Sequence, residues 1–117
     1  MTIDQAIAIH MQWKETFALH VRLEERLGEA LLERIYNEDK CSLGQWIASA
    51  DLAKWSTRVE FFELKLQHTN FHRQMMKVAE SLGADRFAEA AGLIAPGSAF
   101  EKSSRRITKA ILGMGQI

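Results

Sequence analysis

Phe61-Phe62-Glu63-Leu64-Lys65-Leu66-Gln67-His68-Thr69-Asn70-Phe71-His72-Arg73-Gln74-Met75-Met76-Lys77-Val78-Ala79-Glu80-Ser81-Leu82 decides the fold. Phe61, Leu64, His68, Phe71, His72, Met75, Val78 and Leu82 recur every three or four residues, the spacing of one face of an α-helix. Trp55, Val59 and Phe62 add a second apolar row at its start. No proline or glycine interrupts the pattern, so a long helix is expected from about Leu52 to Leu82. Gly83 fits the left-handed position after its end.

Working outward, the first third reads the same way. Thr2 is a candidate N-cap with Gln5 three residues on, a capping-box spacing. From there to Tyr36 only Gly28 opposes a helix, at a cost of about 1 kcal/mol against alanine. Ile3, Ala6, His10, Trp13, Phe17 and Val21 form one apolar stripe, continued by Leu27, Leu31 and Ile35. Asn37-Glu38-Asp39-Lys40 is a polar turn, and a short helix is expected from about Ser42 to Ser49. Downstream, Asp85 is positioned to cap a helix containing Phe87, Ala90, Ala91 and Ile94. Pro96-Gly97 ends it, and Ser98-Ala99-Phe100-Glu101 caps a last helix with Ile107, Ile111 and Met114. Without repeats or strand-like alternation, the sequence predicts an all-α fold. Its expected form is one domain over residues 1–117, an antiparallel four-helix bundle with a short extra helix carrying Cys41.

Composition narrows the function. The chain has 117 residues, fifteen acidic and fifteen basic, with no basic excess of the kind that nucleic-acid binding requires. Lys102, Arg105, Arg106 and Lys109 read as the solvated face of the last helix. No apolar run is long enough for a signal peptide or a membrane span. The single cysteine needs no disulfide partner, so a cytoplasmic protein is expected. No nucleophile triad, glycine-rich phosphate loop or second metal cluster is visible, and catalysis is not expected.

The chemistry lies in four soft ligands. His68 and His72 stand one turn apart on one helix face, the spacing by which one helix offers two imidazoles to zinc. His10 lies on the apolar stripe of the first helix. Cys41 sits beside Lys40 at the start of the short helix, where the cation and the helix terminus favour thiolate. Together they make a tetrahedral Cys-His₃ set, closed and therefore structural or sensory rather than hydrolytic. The plain alternative is a set of hydrogen-bonded core histidines and a cysteine acting as a small hydrophobe. His20, about 80° around the helix from His10, reads as a boundary residue that is the substitute candidate for His10. Spacing alone leaves these readings open. A di-iron bundle is disfavoured, because the Glu-x-x-His pattern is missing at the core histidines.

Three segments add a resemblance. His10-Met11-Gln12-Trp13, Cys41-Ser42-Leu43-Gly44-Gln45-Trp46 and His68-Thr69-Asn70-Phe71-His72 resemble the motif set of the chemoreceptor zinc-binding (CZB) domain of bacterial signalling proteins, in order and in spacing. The resemblance spans about residues 5–115. It implies zinc held by His10, Cys41, His68 and His72, a helical bundle and a homodimer. It also implies a regulatory role toward a chemoreceptor or a diguanylate cyclase. With neither segment in this chain, a free-standing module acting on a separate partner is expected. Oxidant sensing through the zinc-bound Cys41 is the alternative that the same resemblance implies.

Overall fold

The computed structural model describes residues 1–117. It is all-helical, with seven helices: α1 (Ile3–Leu23), α2 (Glu29–Tyr36), α3 (Ser42–Ile47), α4 (Ala50–Ala53), α5 (Val59–Gly83), α6 (Phe87–Leu93) and α7 (Ala99–Met114). The molecule measures 43 × 28 × 19 Å. No helix is long and apolar enough to cross a membrane. The α5 and α7 helices share the largest interface, α1 packs across α7, and α2 packs on α5.

The core follows the α5 stripe. Leu64, Phe71, Met75, Val78 and Leu82 are buried, and they meet Phe17 of α1 and Phe100, Ile107 and Ile111 of α7. Phe100 packs edge-on against Phe17 and tilted against Phe71, at centroid distances of 5.7 and 5.3 Å. Val59 and Phe62, of the second apolar row, lie on the outer face of α5 with Leu66, 79%, 61% and 54% exposed.

The first helix is not continuous to Tyr36. It stops at Leu23 because Glu24 turns into the left-handed region (φ 53°), its N–H closing on His20 and Val21 carbonyls. This conformation is costly for a side chain larger than glycine. The turn is held from outside: Leu27 is buried, and the Arg26 guanidinium grips both carboxylate oxygens of Asp85 at 2.9 and 2.8 Å. Asp85 therefore does not cap α6; it too is left-handed (φ 59°), and Arg86 takes the cap position. Gly83 remains inside α5. Gly28, read as a tolerated interruption, is the N-cap of α2.

The expected helix from Leu52 is likewise divided. The brief α4 gives way to turns before α5 starts at Val59. Trp55 sits in those turns, with Lys54 and Arg58 over its ring at 5.2 and 5.9 Å. Other end signals act as expected. Thr2 and Gln5 form a reciprocal capping box. Ser98 Oγ accepts from the Glu101 N–H, while the Glu101 carboxylate accepts from Gly97 rather than from the cap itself.

Candidate metal centre

Three elements converge on one buried point. α5 supplies His68 and His72, their rings crossed at 82° with centroids 4.6 Å apart. Cys41 is the N-cap of α3, and α1 brings His10 to the same place. All four are buried, none more than 4% exposed.

The Cys41 turn is built around Gly44. A Cβ at this position would stand 1.8 Å from the Glu38 carbonyl oxygen. Only glycine lets the first turn of α3 press onto that peptide. The approach folds the turn over the sulfur: the Gly44 N–H donates to Cys41 Sγ at 3.2 Å, and the thiol donates to the Glu38 carbonyl at 3.2 Å. Leu43 and Trp46 are buried beside it. Thr69 of α5 donates to the Glu38 carboxylate at 2.9 Å, tying the turn to the helix that carries the histidines.

The donor atoms form a triangle. His68 Nε2 and His72 Nε2 are 3.0 Å apart, and Cys41 Sγ is 3.2 and 3.4 Å from them. His72 Nδ1 donates to the Ile35 carbonyl at 2.8 Å, so the neutral ring presents a bare lone pair at Nε2. That leaves one thiol proton and at most one His68 proton to serve three edges, and the Glu38 carbonyl already takes the thiol. Hydrogen bonds leave at least one edge of the triangle with lone pair facing lone pair; a cation at its centre serves all three. Around tetrahedral zinc the nitrogen–nitrogen and nitrogen–sulfur edges are about 3.3 and 3.5 Å, a few tenths of an ångström longer than these. Cys41, His68 and His72 form a group able to hold a metal ion.

His10 stands beside this triangle, outside the group whose ligand atoms lie mutually within 4.8 Å. Its Nε2 faces Ser104, 3.2 Å from the carbonyl and 3.0 Å from the hydroxyl. A carbonyl only accepts, so Nε2 carries the proton and Nδ1 is bare. Nδ1 is buried without any hydrogen-bond partner, which costs about 1–3 kcal/mol if nothing binds it. His10 lines a cavity of about 10 Å³ with Cys41, His68 and His72. That is room for about one water-sized occupant, which suits an ion and excludes an organic cofactor. His20 is far from this chemistry in role: half-buried, its Nδ1 donates to the Glu25 carbonyl at 3.3 Å and closes α1.

Electrostatics keep the imidazoles neutral. Burial lowers His10 to about 4, against a partial offset from its bond to Ser104. Burial, then the neighbouring His72 and His10, lowers His68 to about 3. His72 is lowered too, chiefly by burial. Neutral rings are the form that binds metal. Burial pushes the Cys41 thiol up, against the pull of the Gly44 and Leu43 N–H groups. Lys40 does not help the thiolate as expected, because it pairs with Glu33.

Ser104, the Ile35 carbonyl and Glu38 orient the ligands and escaped the sequence reading. For Ser104 a signal existed, since it lies one turn before Ile107 on an otherwise apolar face. The carbonyl partners leave no trace in residue type. No family model, curated protein or solved structure matches the chain.

Two outcomes are expected. Gly44→Ala must displace backbone, not a flexible side chain, and should destabilise the protein by about 1–3 kcal/mol in urea unfolding, with weaker metal retention. Secondly, metal-free protein should lose stability on acidification. The folded histidines sit below their unfolded value of 6.5, so their contribution is complete above pH 6.5 and is lost as pH falls toward 4 and below. The His10 part alone is on the order of 3 kcal/mol. Urea unfolding at a series of pH values checks this; a flat profile between pH 7 and 4 would contradict it.

Proposed function

We propose that this chain is a zinc-binding regulatory module of bacterial signal transduction, a member of the CZB type. The observation that carries the reading is the buried triangle of Cys41, His68 and His72, whose lone pairs exceed the protons available to them. The bare Nδ1 of His10 on the same cavity supports a fourth ligand. Zinc is favoured because nitrogen and sulfur donors in a tetrahedral number suit it. Zinc supplies a cross-link between α1, the α3 cap and α5. With four protein ligands there is no open position for substrate, which supports regulation over hydrolysis.

The resemblance gains support from what its residues do. Trp13 lines the cavity beside His10. Leu43 and Trp46 are buried anchors of α3, and Gly44 makes the turn possible. We read α1, α2, α5 and α7 as the staves of the bundle, with α3 as the extra helix that carries Cys41. The outer face of α5, with Val59, Phe62 and Leu66 exposed, is the surface we assign to a second copy of the chain. The dimer would act on a separate chemoreceptor or diguanylate cyclase. A second reading, oxidant sensing through the same sulfur, is favoured by one observation: Cys41 also lines a pocket open to solvent.

Elemental analysis of protein purified without added metal should give about one zinc per chain. The ion should be lost in Cys41→Ala and held more weakly in His10→Ala; a folded wild type that takes up no zinc on titration would sink the proposal. Phe62→Glu should convert a dimer to a monomer in sedimentation. A wild type that is monomeric at all concentrations removes the assigned interface and leaves the metal reading standing.

A further inference from the structure

Cys41 is shared by the walls of two voids. One is the small cavity shared with the histidines; the other is an outward pocket of about 120 Å³ whose lining includes Gln12, Trp13, Thr16, Arg34, Cys41 and Ser42. This pocket admits a molecule of several heavy atoms. Its one formal charge is Arg34. The guanidinium makes no ion pair; the adjacent Glu33 is occupied by Lys40. It is held instead over the Trp13 ring, 5.7 Å from the centroid. An exposed, unpaired guanidinium fixed on an aromatic face offers its donors to an incoming anion. The other side of the metal site is different. The pocket beside His68 carries Glu38 and Asp39 along with Lys65, and Cys41 is not in its wall.

We propose that the pocket between Trp13 and Arg34 is an anion port to Cys41, through which small anionic electrophiles reach the sulfur ahead of neutral ones of the same size. Arg34 is its selectivity residue. Its charge lowers the energy of an anion at the mouth, while the hydroxyls of Thr16 and Ser42 and the Gln12 amide line the passage. The port deepens the second reading above, since it states which class of reagent reaches the sulfur. It needs no bound metal.

The test compares iodoacetate with iodoacetamide on chelator-treated protein. In both reactions the sulfur lone pair attacks the methylene carbon. The C–S bond forms as the C–I bond breaks, iodide leaves, and the thiol proton passes to solvent. Because both reagents attack the same sulfur, the ratio of their rates cancels changes in thiolate fraction and in general mobility. In the folded wild type the ratio should favour iodoacetate about three- to tenfold relative to the urea-unfolded chain, the scale of one partly solvated charge. The preference should disappear in Arg34→Gln, persist in Arg34→Lys and weaken in high salt. A ratio unchanged by Arg34→Gln overturns the proposal. So does a folded ratio equal to the unfolded one, or a folded Cys41 that neither reagent reaches. Metal content is assayed separately, so an Arg34-dependent ratio in a chain that never carries zinc removes the metal reading alone.

Discussion

Lone pairs without enough protons are the constraint around which the rest of the structure is arranged. Three donor atoms within 3.4 Å of one another repel unless something positive lies between them. Burial makes protonation an expensive remedy, and it holds His10 and His68 well below the usual imidazole range. Three of the four candidate ligands are aimed by a separate partner: His72 by the Ile35 carbonyl, His10 by Ser104, Cys41 by the Gly44 N–H. Such outer partners fix which nitrogen is bare. The site is thus prepared by backbone groups of α2, α3 and α7 as much as by the ligands themselves.

The division of labour between core and site follows. The aromatic contacts of Phe17, Phe71 and Phe100 and the aliphatic rows of α5 and α7 are continuous without any ion. A domain of this length buries enough apolar surface to fold on such a core. An ion bound here would therefore contribute locally, unlike that in zinc fingers, whose folding depends on it.

Local chemistry was legible wherever it was decided locally. The spacing of His68 and His72, the Thr2–Gln5 box and the stop at Pro96 follow from a few adjacent residues. What was not legible was decided across the chain. The break after Leu23 places a glutamate in the left-handed region, and nothing near Glu24 announces it; its support comes from Arg26 gripping Asp85, fifty-nine residues away. The same long-range pair moved Asp85 out of its expected cap. Val59 and Phe62 have the right period for a core face, yet they lie exposed, while Leu64 and His68 take the buried side of α5. Cys41, His68 and His72 assemble as expected. His10 arrives at the same cavity, but its approach depends on a bond to Ser104 that sequence spacing does not encode.

That bond also decides which elements an ion at the site would tie together. α3 packs on α1 and α4 and scarcely touches α5, and a space of about 210 Å³ opens between them beside His68. Across that space the links are Thr69 to Glu38 and the sulfur facing the two imidazoles. A cation held there would be the principal tie between the Cys41 turn and α5. Its release would free the turn while leaving the α5–α7 core intact. His10 provides the other arm. Its Nε2 is fixed to α7 through Ser104 and its Nδ1 is buried without a partner, so a bond formed at Nδ1 would bear on α7 through the rigid ring. The two arms end on different surfaces, one at the Cys41 turn and one at α7. A single occupancy event would thereby bear on two elements that otherwise have little contact.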